Sequence, residues 1–210
     1  MVLIEKIRNL VPECTVFEHP VGISFTSSQC PFYGLLRHHP QKAEIMDLVS
    51  QIDDLAYLDV RKCRLEKMPD LSTQSLIHLN LGSNYLSEVP VWIQNQRSLT
   101  HLDLSVNQLG YLPKLNCPLQ TLKIHKNDLR NIPKLPETLK VLNIYSNPIH
   151  RFPDVFHLHQ LEYLGLGFCG LQEVPSDIYV LRALKYLSIA VTKIRELPDS
   201  FCELHNLIGA

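Results

Sequence analysis

The chain has 210 residues, 45% of them hydrophobic, which is enough for one large domain or two small ones with a buried core. Its 20 Lys and Arg residues are balanced by 21 Asp and Glu residues, for a net charge of −1. This balance excludes a global electrostatic field that would draw the chain to nucleic acid or to an anionic membrane. Either role would need a local basic patch.

Residues 1–54 form the amino-terminal region. A short apolar-periodic segment contains Ile4, Ile7 and Leu10, and apolar residues at helical spacing predict a helix through Ile45, Val49 and Ile52. Between them, V-G-I-S-F-T-S-S at residues 21–28 resembles a strand. We expect a partly helical cap, with a partner-docking or targeting region as the alternative. Acidic Glu5 and Glu13 and the lack of a long apolar run predict neither a signal peptide nor membrane insertion.

From residue 55 to residue 210 one pattern recurs, L-x-x-L-x-[LIV]-x-x-[NCT]-x-[LI], and a proline follows each copy. Seven units begin at Leu55, Leu76, Leu99, Leu119, Leu139, Leu161 and Leu184, and an eighth starts at Leu207. The prolines lie 20 to 23 residues apart, at Pro69, Pro90, Pro113, Pro133, Pro153, Pro175 and Pro198. A fixed period of this length is typical of a solenoid.

Positions four to six of each unit alternate apolar and polar residues, which predicts a short strand with one buried face. Because one such strand cannot bury its apolar face alone, we expect the units to stack into a parallel sheet. The ninth position is an asparagine in four units, and we expect its amide to turn inward and satisfy backbone groups at the bend: Asn84, Asn107, Asn127 and Asn147. Cys63, Cys169 and Thr192 take its place in the other three.

The six cysteines lie far apart and include no C-x-x-C pair: Cys14, Cys30, Cys63, Cys117, Cys169 and Cys202. This spacing predicts reduced thiols in a cytosolic environment and no zinc ribbon. At the ninth position, Cys63 and Cys169 are expected to be small, buried and chemically inert.

The repeated pattern resembles the leucine-rich repeat family over residues 55–207. The short, proline-rich returns P-K-L-N-C-P-L and P-K-L-P-E-T-L are similar to those of effectors that pathogenic bacteria deliver into host cells. The 23-residue units, such as P-S-D-I-Y-V-L-R-A-L, are instead similar to intracellular repeats of the Ras-suppressor type, with room for a short helical turn. The resemblance implies an α/β solenoid, a curved horseshoe with a parallel sheet on its concave face and short helical or extended segments on its convex side.

In that geometry positions three, five, seven and eight of each unit face the concave side. Polar and imidazole side chains occupy the first units, and aromatic rings beside glycines occupy the last, which is typical of a protein-binding surface. We therefore predict partner binding by Tyr57, Asp59, Arg61, His78, Asn80, His101, Asp103, Lys123, His125, Lys126, Asn143, Tyr145, Tyr163, Phe168 and Tyr186. The alternatives are that a further segment covers the apolar end, or that the rings are incidental.

No motif for catalysis is found: the sequence has no phosphate-binding glycine loop, no H-E-x-x-H and no G-x-S-x-G. We predict no catalytic residues, no metal and no cofactor, although His78, His101 and Asp103 share a face and are a conceivable metal set. The expected function is recognition of a host protein by a monomeric bacterial effector, in the cytoplasm or secreted into the host cell cytoplasm. The alternative is the substrate-recognition part of a larger enzyme, such as a ubiquitin ligase. Nucleic-acid binding is not expected, because the basic cluster Lys123, His125 and Lys126 is small.

Overall fold

The amino-terminal region joins the sheet of the repeats directly. The computed structural model describes residues 2–17, 21–26 and 34–209; Cys30 and the end of the strand-like segment at residues 27–28 lie outside these ranges. Helix α1 spans Val2–Leu10, strand β1 Thr15–Phe17, strand β2 Gly22–Ser24 and helix α2 Lys42–Ser50. The predicted helix, which ends at Ser50, and the predicted strand are confirmed in the described part, and the apolar-periodic segment forms α1. Among the described residues no helix is long and apolar enough to cross a membrane.

Strand β2 lies antiparallel to β1 and parallel to β3, with Ile23 opposite Leu58. The repeats alone predict seven strands, so β1 and β2 extend the sheet by two, with β2 next to the first repeat. The reason is its alternation: Ile23 and Phe25 are fully buried, as Leu58 and Val60 are in the first repeat. The cap thus continues the core of the repeats.

Seven short strands follow, one for each repeat: β3 Tyr57–Asp59, β4 His78–Asn80, β5 His101–Asp103, β6 Thr121–Lys123, β7 Val141–Asn143, β8 Tyr163–Gly165 and β9 Tyr186–Ser188. The nine strands lie in chain order in one sheet, and every pair from β2 to β9 is parallel. The leucine at position four is buried in all seven units. The stacked sheet and its continuous core confirm the predicted solenoid.

The asparagines of the ninth position form a hydrogen-bonded ladder in which Asn84, Asn127 and Asn147 are buried and Asn107 is half-buried. Asn127 Oδ1 accepts the N–H of Leu109 in the preceding unit at 3.0 Å, and its Nδ2 donates to the carbonyls of Leu104 and Ile124 at 3.0 and 3.1 Å. Asn107 Nδ2 also donates to the Leu104 carbonyl, at 3.0 Å, so two amides share that acceptor. The predicted inward amide is confirmed, and each one joins two neighbouring units.

The outer segments follow the spacing of the prolines. Three five-residue 3-10 helices, Val91–Asn95, Ser176–Val180 and Asp199–Glu203, begin directly after Pro90, Pro175 and Pro198. The returns after Pro113 and Pro133 contain no helix. Proline suits a position just before a helix but not its interior, and a 20-residue unit leaves too little chain for a helical turn. Both predictions for the convex side are confirmed.

Candidate functional site

Position three of each repeat forms one column across the sheet: Tyr57, His78, His101, Thr121, Val141, Tyr163 and Tyr186. Position five forms a second column: Asp59, Asn80, Asp103, Lys123, Asn143, Gly165 and Ser188. We call the sheet face that carries these columns the concave face. The register reproduces the columns expected from the repeats.

Aromatic rings stack at the amino-terminal end of the concave face. The Tyr57 and His78 rings are stacked with centroids 4.6 Å apart, and the His78 and His101 rings follow at 5.6 Å. Phe17 meets the Tyr57 ring edge-on at 5.3 Å. This contact crosses β2 at Gly22, where an added Cβ would lie 2.7 Å from the Cβ of Tyr57. Sequence reasoning missed Phe17, because its contact depends on the pairing of β1 with β2.

Several polar residues of position five form hydrogen bonds with the backbone just after their strands end. The side-chain oxygens of Asp59, Asn80, Asp103 and Asn143 each accept the N–H of the residue two positions later, at 2.9 to 3.2 Å. Short polar side chains that bond their own backbone in this way stabilise a turn. These four predicted binding residues therefore have a structural role that any partner contact would share.

Asp59 is fully buried and is held by the guanidinium of Arg61. Arg61 Nε lies 2.9 Å from Asp59 Oδ2, and one terminal nitrogen lies 2.6 Å from the same oxygen. The hydrogen bond to Asp59 raises the pKa of Arg61 above its usual value. The pair is fixed in geometry, while the Arg61 side chain remains 46% exposed. Of the two, Arg61 is the group that a partner can reach.

Lys123, His125 and Lys126 form the basic part of the concave face, in the fourth repeat. Lys123 and Lys126 are exposed, whereas His125 is half-buried and its Nδ1 is buried without a hydrogen-bond partner in the described part. Burial lowers the pKa of His125, the Asp103 carboxylate opposes this shift, and the two lysines add to it. These shifts favour the uncharged form of the His125 imidazole near neutral pH.

Four aromatic side chains gather in the last repeats, and we call Tyr145, Tyr163, Phe168 and Tyr186 the ring cluster. The Tyr145 and Phe168 rings are 5.0 Å apart between centroids. Tyr163 and Tyr186 lie opposite one another in β8 and β9. Phe168 is 51% exposed and Tyr186 is 47% exposed. Rings grouped in this way present more apolar surface in one place than singly scattered surface residues do.

Two glycines form the floor beside these rings. A Cβ at Gly165 would lie 2.8 Å from Asn143 Oδ1 and 3.1 Å from the Tyr163 ring, and one at Gly167 would lie 3.2 Å from the Tyr145 ring. Larger residues at these positions would displace the rings. The two glycines therefore leave the faces of the neighbouring Tyr163 and Tyr145 rings uncovered.

The eighth position differs from the prediction. Strands end at position five, and the residue at position eight has a left-handed backbone, with φ between 54° and 60°, in all seven repeats: Lys62, Ser83, Val106, Lys126, Ser146, Phe168 and Val191. Lys126 and Phe168 therefore project from a bend rather than from a strand. No glycine or asparagine marks this position, so the sequence carries no signal for the bend.

Among the described residues, no group of three or more His, Cys, Asp and Glu side chains is placed to hold a metal ion. His78, His101 and Asp103, the residues considered above as metal ligands, make other contacts. The His78 ring is stacked, the His101 Nδ1 lies 2.8 Å from the Thr100 hydroxyl, and the Asp103 carboxylate accepts from the backbone and hydroxyl of Ser105. Cys63 is also unsuited to chemistry, since burial raises its pKa to about 12.

Comparison with known proteins agrees with the geometry of the repeats. Residues 53–109 match the family model described as "Leucine rich repeat". The fold of the chain is a leucine-rich repeat solenoid. Leucine-rich repeats are usually non-catalytic modules for protein–protein interaction. A search of curated proteins finds no significant match to the sequence.

Solved structures share the leucine-rich repeat fold. A leucine-rich repeat protein of Leptospira interrogans is 26% identical with a TM-score of 0.69, over 78% of this chain and 44% of that one. An internalin, InlF of Listeria monocytogenes, is 21% identical with a TM-score of 0.62, over 77% and 49%. The ectodomain of the Arabidopsis thaliana receptor kinase GASSHO1/SCHENGEN3, in complex with CASPARIAN STRIP INTEGRITY FACTOR 2, is 19% identical with a TM-score of 0.53, over 78% and 24%. The chain thus spans less than half of each of these proteins.

Proposed function

We propose that the concave face binds a partner protein and that the ring cluster is the centre of the contact. The observation that carries this proposal is the grouping of Tyr145, Tyr163, Phe168 and Tyr186 beside the buried glycines Gly165 and Gly167. Tyr and Phe rings supply large contact area with few rotatable bonds and are enriched at the centres of interfaces. Leucine-rich repeat domains bind protein partners in general, which supports the choice of a protein ligand.

The polar half of the face would set orientation and specificity. Arg61 is held by Asp59, and Lys123 and Lys126 are exposed, so three cationic groups stand in fixed or reachable positions on the polar half of the face. Complementary charges at an interface mainly speed association and exclude wrong partners. A partner with an apolar centre and an acidic margin fits this arrangement.

The proposed setting is a host cell, with the chain acting as a secreted bacterial effector in the host cytoplasm. Two observations support this setting: the short P-K-L-P-E-T-L type of return, and the bacterial origin of two of the similar structures. The plant receptor ectodomain shows that a solenoid of this fold is found in complex with a partner. The partner proposed for this chain is a host protein.

The test is an affinity capture from host-cell lysate with two matched triple variants. The first, Tyr145→Ala/Tyr163→Ala/Tyr186→Ala, removes three rings from the concave face. The second removes three exposed tyrosines that lie outside the strands of the sheet: Tyr85, Tyr111 and Tyr179. We expect the first variant to lose a protein that the wild type and the second variant retain. Equal retention by both folded variants would refute a concave site.

A further inference from the structure

A second polar site lies at the amino-terminal end of the solenoid, away from the ring cluster. A cleft of about 640 Å³ opens between the segment at residues 34–40 and the bend of the first repeat. Its described lining is Gly34, Leu35, Arg37, His38, His39, Pro40 and Arg64. None of these described residues is acidic.

Gly34 explains why the two walls of the cleft approach so closely. The Gly34 N–H donates to the carbonyl of Lys62 at 3.1 Å. A Cβ at Gly34 would lie 2.4 Å from the carbonyl oxygen of Arg61 and 2.6 Å from the Sγ of Cys63. Only a residue without a side chain fits this approach. The cleft is therefore a fixed part of the junction between the cap and the first repeat.

Arg64 is placed in the cleft by an unusual backbone. It has φ 55°, and it is the one described left-handed residue outside position eight. Lys42 holds this bend, because its Nζ donates to the carbonyls of Cys63 and Arg64 at 3.2 and 3.3 Å. The Arg64 Nε is buried and has no hydrogen-bond partner in the described part of the chain. A guanidinium N–H without an acceptor is costly, and none of the described residues supplies one to the Arg64 Nε.

His38 supplies a second donor. Arg37 Nε donates to His38 Nε2 at 3.3 Å, so a neutral His38 carries its proton on Nδ1 and can donate from that atom. Desolvation lowers the pKa of His38, and the charges of Arg64, Arg37 and Lys42 lower it further. The positive charges of Arg64, Arg37 and Lys42 therefore all act on the His38 imidazole. The His39 ring is less available to a ligand, because its Nε2 lies 3.1 Å from the carbonyl oxygen of Leu10.

Carboxylates lie on the other side of Arg64. Asp47 and Glu66 line the adjoining cleft of about 700 Å³, together with Lys42 and Lys67. Asp47 Oδ2 accepts from Gln51 Nε2 at 3.1 Å. Within the described ranges, no ion pair joins Arg64 to a carboxylate. Among the described residues, the Arg64 guanidinium therefore has no carboxylate partner within ion-pair distance.

We propose that this cleft binds a phosphate-type oxyanion, either free phosphate or a phosphate ester, through Arg64 and His38, with the charges of Arg37 and Lys42 beside it. A guanidinium presents parallel N–H donors that match two oxygens of a phosphate group. This geometry favours phosphate over chloride, which has no pair of oxygens to bridge. The cleft lies at the first repeat and the ring cluster in the last three, so the two proposals can be tested independently.

The experiment titrates the full chain with sodium phosphate, phosphoserine and sodium chloride at equal ionic strength, and follows amide chemical shifts. We expect phosphate, phosphoserine or both to shift the amides of Gly34 and His38 saturably, with chloride having no saturable effect. Arg64→Gln should weaken that affinity about tenfold or more, since a charge-assisted hydrogen bond is lost. Response to phosphoserine alone would identify an ester as the ligand.

Two variants keep the test decisive. Arg130→Gln removes an exposed arginine remote from the cleft in sequence, and it should leave the phosphate response unchanged. Arg64→Lys keeps the charge but not the fork of donors, and it should bind phosphate with intermediate affinity. The proposal is overturned if folded Arg64→Gln responds to phosphate as the wild type does, or if chloride gives the same saturable shifts.

Discussion

The asparagine ladder makes a quantitative prediction about two equivalent residues. Asn127→Ala leaves the Leu109 N–H without its acceptor, but the carbonyls of Leu104 and Ile124 keep a second amide donor each, from Asn107 and Asn147. One buried orphan donor costs about 2 kcal/mol, and two weakened carbonyl contacts add about 0.5 kcal/mol each. The expected loss in the free energy of unfolding is about 3 kcal/mol.

Asn84 supplies the side-chain amide at the bend of the first repeat, because that repeat has Cys63 in place of the asparagine. Its Oδ1 accepts the N–H groups of Cys63 and Leu65 at 3.1 and 3.0 Å, and its Nδ2 donates to the carbonyl of Val60 at 3.0 Å. Asn84→Ala leaves these three buried groups unpaired. We therefore expect a loss of about 5 kcal/mol, clearly larger than for Asn127→Ala.

Urea unfolding followed by circular dichroism measures both losses. With a slope of about 3 kcal/mol per molar, Asn127→Ala should lower the midpoint by about 1 M and Asn84→Ala by more. The exposed Asn131→Ala is the matched control and should have almost no effect. Equal midpoints for the two ladder variants would refute the argument that carbonyl sharing decides the cost.

The remaining predictions concern backbone strain, thiol reactivity and pH. Val106→Asn should raise the free energy of unfolding by about 1 kcal/mol in urea titrations, because asparagine tolerates the left-handed backbone that a β-branched residue adopts here at a cost. Iodoacetamide should label exposed Cys202 at neutral pH but not buried Cys63, whose pKa is about 12, as peptide mass spectrometry will show. Burial and the charge of His101 lower the pKa of His78. Below about pH 6.5 the unfolded chain therefore binds more protons than the folded chain, and the stability decreases as the pH is lowered. His78→Gln should reduce that fall in urea titrations between pH 7 and pH 5.

For each of these three predictions, one result would contradict it. A lower midpoint for Val106→Asn would show that the valine side chain contributes more than the strain costs. Labelling of Cys63 as fast as Cys202 would contradict its burial. An unchanged slope of stability against pH in His78→Gln would mean that other groups set the pH dependence.

The fold followed from residues that recur at every turn. The buried leucines, the four inward asparagines and the spacing of the prolines predicted the strands, their register and the placing of the 3-10 helices. These features are local or periodic, so stacking identical units determines them. The same periodicity placed Tyr57, His78 and His101 in one column, which the structure confirms as a stacked series.

Other features depend on contacts that no repeat encodes. The left-handed bend at position eight contains Val106 and Phe168, whose residue types do not favour it, so the stacked geometry imposes it. The ring contact of Phe17 requires β1 to fold back over Gly22. The cleft at Arg64 requires Gly34 to approach the first bend. The role of the ring cluster in binding stays a prediction, because its partner is not encoded in its geometry.

Photo-crosslinking tests the central claim, that a partner protein binds on the concave face, most directly. A photoreactive phenylalanine is placed at Tyr163 in one variant and at Tyr111, exposed outside the strands, in another. We predict that the captured host protein crosslinks from position 163 and not from position 111. Crosslinking from position 111 alone, with both variants folded and retaining the partner, would contradict the account.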